Sequence, residues 1–169
     1  MMESALTIEI LGKGELFTPH SVRECTQTLT PIPQGSLRRT INGKLVWSGS
    51  RTHRKFRSVI SCKDQAPPAF DGLWRGDQVK VTCLETLTQA IPKGCQELIL
   101  AREPASHHIF DYKGKTWDIP LSQHITLPPG FPGGFITYAP RLLMMVDNYT
   151  LNVDEWGLSL GWTLELVEV

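Results

Sequence analysis

The sequence lacks a helical period, a surplus of either charge, a long apolar run, and cysteines at metal-binding spacing, and each absence closes off a class of protein. No stretch of about a dozen residues or more repeats its apolar side chains every 3.6 positions, so helical bundles are excluded. Seventeen Lys and Arg balance seventeen Asp and Glu. Neutralising phosphates calls for a marked basic excess, so any nucleic-acid role would be confined to a local patch. The longest apolar runs, such as Leu142-Leu143-Met144-Met145-Val146, fall far short of the roughly 20 residues of a membrane helix. Only four cysteines are present, Cys25, Cys62, Cys83 and Cys95, and no two stand three positions apart as in a zinc knuckle. No metal and no cofactor is expected. The first ten residues carry neither the basic nor the apolar region of a secretory signal, so folding in a cytosol and four reduced thiols are expected. A Cys62–Cys83 bridge across Trp74 is the alternative.

What is present is a period of two. Leu158, Leu160, Trp162, Leu164 and Leu166 take every second position near the C-terminus, as in a sheet with one buried face. A terminus written as full-strength strand is expected to be tied into a core or a neighbour. Strands are expected at 5–11, 22–29, 36–41, 44–48, 56–63, 78–84, 96–101, 107–112, 115–119, 135–146 and 157–168. Asn42-Gly43 predicts a two-residue hairpin turn, because a type I′ turn needs positive φ at both central positions. Lys113-Gly114 predicts a second. Phe56, Ser58, Ile60 and Cys62 would share one face of a strand, and Val79, Val81 and Cys83 one face of the next. Phe70-Asp71-Gly72-Leu73-Trp74 is expected to form a helical turn capping the core, and 85–91 a short helix from the spacing of Leu84, Leu87 and Ile91. With no break in composition and no internal repeat, residues 1–169 are expected to form a single β-domain, mainly β: an antiparallel β-sandwich or barrel with at most one or two short helices.

Four groups of residues carry candidate chemistry. Arg51, His53, Arg54, Lys55 and Arg57, with Arg38 and Arg39 on the preceding hairpin, would make one positive patch, read as a contact with an acidic neighbour, as solvated surface, or as a nucleic-acid contact. In a chain of zero net charge, such a patch leaves the rest acidic and favours head-to-tail contact between copies or contact with other proteins. The segment 127–135 has Pro or Gly at six of nine positions and must be a loop, with Phe131 and Phe135 either pinned to their own domain or offered to a partner. Asp147, Asp154 and Glu155 near Trp156 are read either as turn chemistry or, with Trp117, as a sugar-binding cleft. Adjacent His107 and His108 would point to opposite faces of a strand and so could not ligate one metal together. Met144-Met145 beside Leu142-Leu143 reads as a strand covered on both faces, one layer of which would come from another subunit.

Two stretches resemble virion proteins of tailed bacteriophages, of the tail, tail-tip and baseplate kind. One is Ile41-Asn42-Gly43-Lys44-Leu45-Val46 with Lys55-Phe56-Arg57-Ser58-Val59-Ile60-Ser61-Cys62 through Gly72-Leu73-Trp74-Arg75-Gly76-Asp77-Gln78-Val79; the other runs from Pro140-Arg141-Leu142 through Asp154-Glu155-Trp156-Gly157 to Leu164-Glu165-Leu166. The resemblance implies a non-enzymatic subunit made in the host cytoplasm and built into the virion. Its partners would be other phage tail or baseplate proteins and further copies of itself in a homo-oligomeric ring, with no membrane and no specific nucleic acid. The lack of a long helix departs from tail-tube subunits and favours an accessory or baseplate ring. Interface residues would be Arg51, Arg54, Lys55, Arg57, Phe131, Phe135 and Trp156. The alternative is a carbohydrate- or ligand-binding β-sandwich module; a small β-fold hydrolase ranks last.

Overall fold

The computed structural model describes residues 6–18, 24–50, 53–63, 68–157 and 159–169. Among them the strands are β1 (Thr7–Ile10), β2 (Gly14–Glu15), β3 (Thr26–Pro31), β4 (Gly35–Arg39), β5 (Leu45–Gly49), β6 (Phe56–Cys62), β7 (Gln78–Thr82), β8 (Leu87–Ile91), β9 (Glu97–Ile99), β10 (Glu103–Asp111), β11 (Thr116–Trp117), β12 (His124–Thr126), β13 (Gly134–Val153) and β14 (Ser159–Glu168). The one helical element among the described residues is a 3-10 turn at Phe70–Gly72. The fold is mainly β and every strand pairing is antiparallel.

One strand organises the rest. β13 runs for 20 residues, about 65 Å of extended chain, and carries two successive partners along each edge. On one edge β8 pairs with its first part (Ile91↔Gly134 to Leu87↔Tyr138) and β7 with its middle (Thr82↔Arg141 to Gln78↔Met145). On the other, β10 pairs with the first part and β14 with the rest, from Met144↔Glu168 to Val153↔Ser159. The handover from β8 to β7 spans Pro140, which has no N–H for a ladder and sits opposite Pro104 at a register shift in β10; that from β10 to β14 follows between Arg141 and Met144. The two prolines thus stand where the ladders are already interrupted.

The even-numbered side chains of β13 are buried without a break from Ile136 to Val146. They serve two cores. Leu142, Met144 and Val146 pack with Ile8, Val79, Val81, Leu164 and Trp162, while Ile136 and Tyr138 pack with Ile91, Leu100, Ile109, Ile125 and Phe131. Beside the first core the sheet runs β1-β7-β13-β14-β6-β3 and curls back on itself. The Gln27 side chain of edge strand β3 accepts hydrogen bonds from the Leu84 N–H (2.7 Å) and Glu85 N–H (3.2 Å), just past β7, and donates to Ser58 Oγ (3.0 Å), satisfying the one fully buried hydroxyl on β6.

The expected alternations in β6, β7 and β14 hold for Ser58, Ile60, Cys62, Val79, Val81, Cys83, Trp162, Leu164 and Leu166, all buried; Phe56 is half-buried, and the side chains of Leu158 and Leu160 lie outside the described residues. Two expectations change. Residues 85–91 contain strand β8 in place of a short helix, because the ladder with 134–138 satisfies its backbone groups where one or two isolated helical turns could not. Phe70 and Leu73 cap the core as expected, but Trp74 is 73% exposed. On the Leu142–Val146 run the described residues cover one face and leave the other open: Met144 is buried, whereas Leu143 and Met145 are exposed.

The cysteines also differ from expectation. Cys25 and Cys62 stand opposite each other just past the Thr26↔Ser61 pair and are joined in a disulfide, so neither four reduced thiols nor a Cys62–Cys83 bridge is present. Cys83 is a buried free thiol; burial first of all, against a hydrogen bond from Gln27, pushes it up to about 11, so it stays protonated and unreactive at neutral pH.

Candidate functional site

The predicted Asn42-Gly43 turn closes a hairpin, but that hairpin leaves the body. β4 and β5 pair only with each other, and every residue of both strands is exposed. Leu37, Ile41, Leu45, Val46 and Trp47 are exposed large hydrophobics on this one projection. A lone two-stranded hairpin is marginal in water, and a cluster of apolar side chains on one marks a contact surface. Its charges are basic: Arg39 reaches the Gly43 carbonyl with Nη1 (3.0 Å) and Arg38 the Ser36 hydroxyl with Nε (3.2 Å), neither of them a carboxylate.

A second projection is the far end of the β13–β14 hairpin. Leu151 (50%), Val153 (66%) and Trp156 (81%) are exposed there. The turn itself is closed by Asp154, whose Oδ1 accepts from the Trp156 N–H and whose carbonyl accepts from the Gly157 N–H, both at 3.1 Å. Trp156 therefore rides on an ordered turn with Asp154 and Glu155 beside it.

The expected basic cluster is divided by the structure. Arg51 lies outside the described residues. Arg57 points onto the outer face of the sheet, where Nη2 binds both Asp147 Oδ2 (3.0 Å) and Glu165 Oε2 (2.9 Å), so its charge is used within the chain. Arg54 and Lys55 instead border a groove of about 540 Å³ at the root of the β4–β5 hairpin, with Pro31, Ile32, Trp47 and Phe56 as apolar walls. Among the described residues neither side chain meets a carboxylate. On the other side of Phe56, Arg102 lies over its ring (4.8 Å) and binds Glu168 at 2.9 and 3.0 Å in a mostly buried pair; Glu168 Oε2 also accepts from the Phe56 N–H (2.9 Å). Sequence reasoning missed this Arg102–Glu168 pair, since its partners stand 66 positions apart and no local pattern joins them.

Phe131 and Phe135 separate as well. Phe131 is 7% exposed, edge-on to Trp117 at 5.3 Å in the second core, so its ring is pinned to its own chain. Phe135 lies on the outer face between Phe110 and Tyr112, each ring centroid 5.6 Å away, and is half-buried. Trp117 is thereby committed to the core and lines no cleft with Trp156. An aromatic and acidic cleft does exist elsewhere: Trp74, Arg75, Asp147, Asn148, Tyr149 and Glu165 line about 640 Å³ of the outer surface.

Other candidate chemistry resolves into structure. His107 Nε2 bonds the Ile119 carbonyl at 2.8 Å while His108 stacks toward Phe110, on opposite faces as their adjacency requires. Gly157-Leu158-Ser159-Leu160-Gly161 spells G-x-S-x-G, yet a nucleophile elbow needs a strand-to-helix turn, and Ser159 opens strand β14. Among the described residues no group of three or more His, Cys, Asp or Glu could hold a metal ion.

Charge is sorted along the chain more sharply than its zero total reveals. Residues 25–63 hold eight Lys and Arg and no Asp or Glu; residues 142–169 hold five Asp and Glu and no Lys or Arg. The first segment carries the β4–β5 hairpin and the groove, the second the β13–β14 tip. Compared with protein-family models, curated proteins and solved structures, the chain matches none.

Proposed function

We propose that the protein is a non-enzymatic structural subunit of a tailed-phage particle, in the tail or baseplate, which joins copies of itself and other virion proteins into a ring. The β4–β5 hairpin carries this reading: an exposed projection with five large apolar side chains and a basic surface costs solubility and gains nothing in an isolated chain, whereas it would be buried at an interface. The exposed face at Leu143 and Met145 supports it in the same way. Light scattering on the purified protein is expected to give a multiple of 19.0 kDa, returning to one copy when residues 36–48 are replaced by a short Gly-Ser link. Mass spectrometry is expected to find the chain in purified particles of the phage that encodes it. A stable monomer at high concentration, together with absence from those particles, would sink the reading.

A second reading, a carbohydrate-binding module, is favoured by the cleft around Trp74 and Tyr149, where aromatic faces and carboxylates adjoin as sugar recognition requires. Both acids there are held by arginines, Asp147 by Arg57 and Arg75 and Glu165 by Arg57. That arrangement suits polar contacts to hydroxyls better than proton transfer. The same preparation on a glycan array separates the two readings: binding abolished by Trp74→Ala with the fold intact would put this one first.

A further inference from the structure

We infer that copies of this chain associate head to tail, the β13–β14 tip of one inserting Trp156 into the groove at the root of the β4–β5 hairpin of the next. This rests on the assembly reading above and names its partner, a second copy, and its contact. The groove has apolar walls of Pro31, Ile32, Trp47 and Phe56, with Arg54 and Lys55 at its border. The tip offers the complement: an indole 81% exposed on a hydrogen-bonded turn, with Asp154 and Glu155 adjacent in sequence. A tryptophan entering an apolar pocket with charge pairs around it is the usual composition of an interface hot spot.

Charge complementarity rests on these residues. Of the five acids in 142–169, Asp147, Glu165 and Glu168 are paired with Arg57, Arg75 and Arg102 within the chain, which leaves Asp154 and Glu155 as the charge of the tip, while the groove lies in a segment of eight basic and no acidic residues of which Arg57 is paired. Two copies approaching in this orientation attract; groove to groove or tip to tip, they repel. A two-fold dimer bringing like patches together is therefore disfavoured.

The molecule cannot satisfy the contact by itself. Trp156 precedes the start of β14 at Ser159, whereas Phe56 and the groove adjoin its end, where Phe56 N–H binds Glu168 and Arg57 pairs with Val167. The ten residues of β14 hold tip and groove about 30 Å apart. Each copy then presents both halves of the contact, a tip and a groove, at separate places, a heterologous interface that closes into a ring or continues as a filament.

Paired charge reversal tests this. The groove variant is Arg54→Glu with Lys55→Glu; the tip variant is Glu155→Lys with Asp154→Asn, which keeps an oxygen to cap the turn. By light scattering, wild type should associate, each variant alone should remain monomeric, and an equimolar mixture should associate again, since the intact tip of one variant meets the intact groove of the other and the reversed groove meets the reversed tip. Trp156→Ala should weaken association about thirtyfold or more. Restoration on mixing also shows that both variants are folded. If both variants associate like wild type, or the mixture stays monomeric, this contact is overturned while the assembly reading stands. If wild type is monomeric yet is found in phage particles, the second copy is overturned as the occupant and another virion protein takes its place. If wild type is monomeric and absent from particles, both fall.

Discussion

Asp111 sits where β10 turns into β11, 6% exposed. Its Oδ1 accepts from the Lys113 N–H (2.9 Å) and the Lys115 N–H (3.0 Å), and its Oδ2 from the Trp117 indole (3.3 Å). Desolvation pushes the carboxyl up, but these donors and the Lys115 charge together outweigh it and hold Asp111 below the usual carboxylate range. A depressed value means the folded state prefers the ionised form, so the stabilisation is complete above the unfolded value near pH 4 and is lost as pH falls through the lower folded one. Asp111→Asn should accordingly be less stable than wild type in urea at pH 7, with the gap narrowing at pH 3; an equal gap at both would show that the charge contributes nothing. This residue's role was hidden in the sequence, where no local pattern ties Asp111 to the Lys115 N–H or the Trp117 indole. The Lys113-Gly114 turn beside it was legible.

At the scale of elements, alternation in β6, β7 and β14 could be read because one face of each is covered by the chain itself. The same rule misleads for β4 and β5: Leu37, Leu45 and Trp47 look like core residues in sequence, and period alone does not say whether anything lies on top of them. β13 was only partly legible. Its first residue is a glycine in a run of Pro and Gly, which reads as loop, yet Gly134 pairs with Ile91 on one side and Asp111 on the other. It is glycine because any Cβ there would collide with the Phe110 carbonyl. Gly134→Ala must push β10 away from β13 and should destabilise the fold by on the order of 2 kcal/mol or more, measured by urea denaturation; a neutral effect would show that β10 yields without cost. The Cys25–Cys62 bridge was illegible for a related reason, since it depends on the register of β3 against β6, and the predicted bounds of β3 were displaced from the actual ones.

For the molecule as a whole, the candidate surface was half visible. Arg54, Lys55 and Trp156 were singled out by charge and exposure-prone chemistry, but the apolar groove joins Pro31 and Ile32 to Trp47 and Phe56 through tertiary folding that no local pattern records. Two cores also could not be foreseen from a composition without a break. Because β13 serves both and the Arg102–Glu168 pair bridges their boundary, the cores should unfold together. Ile136→Ala in one and Leu164→Ala in the other, each costing about 2–5 kcal/mol, should lower the midpoint of the same single calorimetric transition. Two separable transitions, each moved by only one substitution, would show independent units.

The length of β13 also governs how the molecule would respond to tension. A pull directed along that strand runs parallel to β7, β8, β10 and β14, so the cross-strand hydrogen bonds of each ladder are loaded in shear, many at once, and none can be unzipped one at a time from an end. A part built around such a tie-rod is stiffest along its own long axis, and two pieces pulled apart in that direction would part at their mutual contact before either gave way internally.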